Sequence, residues 1–229
     1  MWKWLRRIWI ACGLGFTFWL WLGFQTSSDL PPARETSMSG APKQGVIFLP
    51  GGMVAPEAYR PLMDRIRDKG FAAEIVPLPY RCACTDAQRG ELFDHIEARM
   101  RANPEIHWAV GGHSRGGMLT ARLLKERSGT SARGAVLVAT THPRDFDLAG
   151  VGKPILKIFG SEDGVASPGD IARNRHLLPS DAVLKQIDGG NHVQFGYYRH
   201  QLSSGTATIT REQQQEATAS AIAEFLSKL

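Results

Sequence analysis

Residues 112–117 of this chain read Gly112-His113-Ser114-Arg115-Gly116-Gly117, with the apolar run Trp108-Ala109-Val110 just before them and a helix-like run from Met118 just after. A serine at the apex of a strand-to-helix turn needs small residues two positions to either side, because a side chain there collides with the neighbouring strand or helix. Gly112 and Gly116 meet that need. The turn holds a hydroxyl out from the sheet edge and leaves the next N–H groups free to bind an oxyanion. It also commits the chain to strands that run into helices.

The flanking sequence repeats that order. Val46-Ile47-Phe48-Leu49 is an unbroken apolar run, as in a strand buried on both faces. Ala58, Leu62, Met63 and Ile66 come next at helical spacing, and Gly70 stops that helix. Strands are expected near 73–78, 107–111, 135–139, 155–159 and 182–187. Further helices are expected through Leu92 to Met100, from Met118 to Leu124, and from Arg211 to Leu229. Strict alternation implies a mostly parallel α/β sheet of about six strands with helices on both faces, and a site beyond the carboxyl ends of the strands.

The 229 residues suit one domain. Their formal charge of +5 owes much to Lys3, Arg6 and Arg7, and the remaining Lys and Arg are scattered among acids, so no nucleic-acid footprint is read. Residues 8–24 carry no charge and span roughly 25 Å as a helix. Five of the six tryptophans, Trp2, Trp4, Trp9, Trp19 and Trp21, cluster toward the ends of the first 24 residues. The expectation is a membrane-anchoring or signal segment over 1–28, a Ser/Pro-rich linker over 29–44 and a catalytic domain over 45–229. That domain would be exported to a periplasm or cell surface, anchored through a transmembrane helix or secreted after cleavage. Cys12 reads as an apolar residue of the first segment. Cys82-Ala83-Cys84 reads either as an exchangeable disulfide or as two small loop residues.

A serine hydroxyl needs a base. Of seven histidines, His192 in Gly189-Gly190-Asn191-His192 comes after the last strand and so shares the carboxyl edge with Ser114. His113 leaves the turn in another direction, and His95, His107, His142, His176 and His200 lack supporting context as bases. The base needs an acid to hold its tautomer. Asp163, after the fifth strand and before Gly164, is preferred, with Glu162 as competitor. The order Ser114, Asp163, His192 is that of an α/β-hydrolase. Oxyanion donors are expected from the N–H of Arg115 and from Pro50-Gly51-Gly52-Met53, at Met53 with Gly52 as rival.

From Gly45 onward the sequence resembles the compact α/β-hydrolases related to dienelactone hydrolases and small esterases. The likeness lies in Phe48-Leu49-Pro50-Gly51-Gly52, the Ser114 turn, Phe159-Gly160-Ser161-Glu162-Asp163-Gly164-Val165-Ala166 and Gly189-Gly190-Asn191-His192-Val193-Gln194-Phe195-Gly196. The resemblance implies triad roles for Ser114, Asp163 and His192. Dienelactone hydrolases proper carry cysteine where this chain has Ser114, and Tyr197-Tyr198-Arg199 departs from the family pattern. The short stretch between the fourth and fifth strands leaves no room for a cap. An open, shallow pocket lined by Met53, Tyr80, Met118, His142 and Phe195 is expected. The function expected is carboxylesterase-like serine hydrolysis of esters of small or medium acyl groups through an acyl-enzyme, without cofactor or metal. An acyltransferase and an inactive binding protein on the same fold are the rivals, and no oligomeric state is read.

Overall fold

A computed structural model describes residues 2–33 and 40–229; part of the linker expected over 29–44 lies outside them. Six strands form one sheet: β1 (Gln44–Leu49), β2 (Ala72–Ile75), β3 (His107–His113), β4 (Gly134–Val138), β5 (Ile155–Gly160) and β6 (Val183–Ile187). Their order is β2-β1-β3-β4-β5-β6 and every pairing is parallel. The chain therefore starts near the middle, steps to one edge and returns to fill the other. The reversal leaves a crevice where the first and third strands end side by side, Leu49 beside Gly112.

The helices are α1 (Trp2–Gly23), α2 (Arg60–Asp68), α3 (Asp86–Ala102), α4 (Arg115–Glu126), α5 (Pro168–Arg173) and α6 (Arg211–Leu226). Alternate residues of one strand serve opposite layers. Val46 and Phe48 pack with Leu62 and Ile66 of α2 and Ile222 and Phe225 of α6. Ile47 and Leu49 pack with Phe93 and Ile96 of α3 and Leu119 and Leu123 of α4. Thr85 and Thr210 open α3 and α6 with reciprocal caps to Gln88 and Gln213. Residues 139–154, between β4 and β5, hold no helix or strand, so among the described residues no cap is inserted between these strands.

The N-terminal segment corrects the sequence reading. No helix among the described residues is long and apolar enough to cross a membrane. Any 18-residue stretch of α1 takes in both Arg6 and Arg7, and its tryptophans and glycines lower the mean hydropathy further. The expected anchor, and the membrane localisation built on it, are set aside. The end of α1 is tied to the sheet domain instead. The N–H groups of Arg199 and His200 donate to Gly23 O at 3.0 and 3.1 Å, Ser27 N donates to Tyr197 O at 2.8 Å, and the His200 ring stacks on Trp19 at 4.1 Å. The Tyr197-Tyr198-Arg199 run, odd against the family pattern, is where residues 23–27 dock.

Candidate active site

Ser114 stands between β3 and α4 with φ 52° and ψ −111°, a left-handed backbone that a non-glycine residue keeps only where its surroundings hold it. The holding contacts are visible. Ser114 N donates to Val138 O at 2.8 Å and Ser114 O accepts from Met118 N at 3.0 Å. A Cβ on Gly112 would run into the Gly116 backbone, and one on Gly116 into Leu49 O, so the two glycines let helix, turn and first strand close together.

Behind this turn the structure pairs His192 with Asp163. His192 Nδ1 lies 2.9 Å from Asp163 Oδ2, both side chains fully buried. The other carboxylate oxygen, Oδ1, accepts from Val165 N and Ala166 N, each at 2.8 Å. A carboxylate so placed accepts from Nδ1–H, which leaves His192 Nε2 as the lone-pair nitrogen, and that atom is buried without a partner among the described residues. Glu162 is exposed and takes a bond from Ser161 Oγ instead. The histidine loop is pinned along its length: Gln214 of α6 exchanges bonds with Asn191 N and O at 3.0 and 2.7 Å, and His192 N donates to Ser204 O at 3.0 Å.

His113 faces the other way, as the sequence suggested. Its Nδ1 is 2.7 Å from Tyr59 Oη, which itself accepts from Gly51 N at 3.0 Å. A neutral His113 ring with the proton on Nε2 lets the phenol donate to Nδ1 while it accepts from Gly51 N. Burial, and next the charge of nearby His192, hold the His113 pKa well below the usual imidazole value. The two rings are 4.6 Å apart, centre to centre.

On the oxyanion side, Arg115 N is the first amide of α4, one that a helix leaves without an internal partner. Met53 differs from expectation: its N–H is already given to Arg81 O at 2.7 Å. Gly52 N, the rival, has no partner among the described residues.

A cavity of about 220 Å³ opens at Ser114, lined also by Arg115, Met118, Thr140, His142, Arg144 and Val165. Of the expected pocket residues, Met118 and His142 line it while Met53, Tyr80 and Phe195 do not. Phe195 turns wholly inward beneath His113, and Tyr80, at φ 51°, points out and is 84% exposed. Sequence reasoning missed Lys157. Its ammonium is buried in the middle of β5 and donates to Thr140 O and His142 O at 2.8 and 2.5 Å, bracing the cavity wall. Burial pulls its pKa down to about 7, and burial likewise takes neighbouring His142 to about 4. Tyr59 was also missed, since nothing in the sequence ties it to a histidine 54 residues away.

Comparison with known proteins agrees with the fold. The sequence pattern of the alpha/beta hydrolase family matches residues 45–216, and the chain belongs to that family. RedJ, the thioesterase of the prodiginine pathway in Streptomyces coelicolor, is similar in structure with a TM-score of 0.57 at 14% identity, over 83% of this chain and 91% of its own. The metagenome-derived lipolytic enzymes LipS and LipT give 0.59 at 15%, over 82% and 95%. The ferulic acid esterase of Streptomyces cinnamoneus gives 0.56 at 16%, over 83% and 68%. No curated protein matches the sequence. The chain is thus a hydrolase of the α/β class, with a fold shared by esterases, lipases and thioesterases.

Proposed function

We propose that the protein is a serine hydrolase that cleaves small carboxylic esters through an acyl-enzyme, and that within its family it stands near the small esterases related to dienelactone hydrolases. The observation that carries the reading is the buried His192–Asp163 pair, its Nε2 unpartnered, at the same sheet edge as the strained Ser114 turn. In the first step Ser114 Oγ bonds to the ester carbonyl carbon while His192 Nε2 takes the hydroxyl proton, and Asp163 holds the imidazolium that forms. The carbonyl oxygen, now anionic, receives N–H bonds from Arg115 and Gly52; Met53, engaged with Arg81, is not assigned. The carbon–oxygen bond to the alcohol breaks, and the alcohol leaves with the proton from His192. Water then repeats the sequence on the acyl carbon, returning the acid and free Ser114.

The uncapped edge and the cavity of about 220 Å³ favour short acyl groups over long chains. A fluorophosphonate probe tests the reading: an activated Ser114 is labelled, while a binding protein on this fold is not. Products separate hydrolysis from acyl transfer, since added alcohol leaves the yield of free acid unchanged only for a hydrolase.

A further inference from the structure

The turn from Pro79 to Cys84 takes no part in the chemistry above, yet three successive carbonyls of it hold the residue after Gly52 and the side chain of Arg115, the two residues assigned as oxyanion donors. Arg81 O accepts from Met53 N at 2.7 Å. Cys82 O and Ala83 O accept from the Arg115 guanidinium at 2.9 and 3.1 Å. The first bond fixes the Gly52–Met53 peptide. On the other side, Tyr59 Oη fixes the amide of Gly51, so the Gly52 N–H lies between two pinned peptides. The other two bonds lay the Arg115 side chain across Gly52, whose missing Cβ would sit 3.3 Å from Arg115 Cβ.

What keeps the turn in place is unusual. Tyr80, Arg81 and Ala83 all have positive φ, at 51°, 54° and 49°. L residues hold that conformation only where surrounding bonds impose it. Here the impositions are backbone bonds within the turn, from Arg81 N to Leu78 O at 2.8 Å and from Ala83 N to Pro79 O at 2.8 Å, the Met53 and Arg115 bonds, one from Cys84 N to Gln88 Oε1 at 2.9 Å, one from Arg81 Nη1 to Gln25 Oε1 at 3.1 Å, and a disulfide between Cys82 and Cys84. Cys84 is exposed and Cys82 half-buried, so an attacking thiolate can reach the bond.

We propose that Cys82–Cys84 is a thiol-exchange site whose oxidised state holds the Gly52 and Arg115 amides in register for the oxyanion; this rests on the esterase reading for its effect on turnover. A dithiol reductant supplies both electrons. One thiolate attacks Cys84 Sγ and releases the Cys82 thiolate. The second thiol of the reductant then attacks the mixed disulfide, freeing Cys84 as thiol and leaving the reductant as its own disulfide. Once the cross-link opens, the left-handed residues relax, and the three carbonyls no longer hold Met53 and Arg115.

The test compares full-length protein before and after dithiothreitol, with thiol titration showing the count rise from Cys12 alone to all three cysteines. Amide hydrogen exchange at Met53 reads the clamp without any catalysis and is expected to quicken on reduction by about tenfold or more. Turnover of a nitrophenyl acetate is expected to fall about tenfold with KM nearly constant, less than the loss from removing an oxyanion donor outright. A Cys82→Ser/Cys84→Ser variant should match the reduced protein and ignore dithiothreitol. Unchanged Met53 exchange after full reduction overturns the inference. Faster exchange with unchanged kcat overturns its catalytic half. Faster exchange in a protein that no fluorophosphonate labels keeps the clamp and removes the esterase reading.

Discussion

The two sides of the site are built differently. Asp163 and His192 sit just past the ends of β5 and β6, are wholly buried, and are held by loops and by α6 of the same sheet domain. The oxyanion side is held from afar: Gly51 by Tyr59, Met53 by Arg81 and Arg115 by the cross-linked turn at its partly exposed edge. A strand end in a close-packed sheet is a rigid platform, whereas a loop pinned by single hydrogen bonds can be unpinned one bond at a time. On the proposed esterase reading, the first side sets whether the reaction proceeds and the second how fast.

The largest effect that sharpens this contrast belongs to the acid. Asp163→Asn should lower kcat about 10⁴-fold while leaving the fold intact, since an amide facing Nδ1 favours the wrong tautomer. Glu162→Gln should change it less than about twofold. Steady-state kinetics on both variants decides, and the opposite ranking would exchange their roles.

Tyr59→Phe probes the other side. It keeps the ring against Phe48 but strips the hydroxyl from Gly51 N and His113 Nδ1, leaving two buried groups unpaired. A loss of roughly 1–3 kcal/mol of stability is expected. A fall of about tenfold in kcat with little change in KM is expected from a displaced Gly52 amide. Denaturant melts and kinetics on the same preparation separate the two, and an unaltered kcat would show that the Gly51 pin is not needed.

The smallest effect concerns the cavity wall. Lys157 titrates near 7 when folded against its ordinary value of 10.5, so over that window the unfolded chain binds more protons. Stability from this group therefore rises with pH through the window and is lost as pH falls to about 7, below which the cost of the buried charge is constant. Between pH 7 and 9 the native protein should gain roughly 2 kcal/mol on a Lys157→Met variant. Parallel melting curves across that range would mean that the ammonium is not desolvated.

The same contrast governs what the sequence makes legible. Ser114, Asp163 and His192 each come after an apolar run beside glycines, so local pattern places them at one edge, and the six strands read from the same signal. Tyr59, the Arg115 side chain and the Pro79–Cys84 turn act through contacts that no periodicity encodes. Lys157 is a lone lysine in Ile155-Leu156-Lys157-Ile158-Phe159, and only the place of β5 inside the sheet shows that its ammonium is buried. Loop proximity points Tyr80 and Phe195 to the pocket, but a positive φ turns one outward and the short turn over Val193–Phe195 sends the other into the core. The tryptophan-rich N-terminus misleads by composition, because Arg6 and Arg7 lie inside every 18-residue stretch of α1.

Covalent labelling of Ser114 tests the central claim most directly. With an organophosphate, intact mass should show one adduct per chain, peptide mapping should place it on Ser114, and Ser114→Ala should show none and lose nearly all turnover. Equal labelling of the Ser114→Ala variant, or no labelling of the native protein, would contradict it.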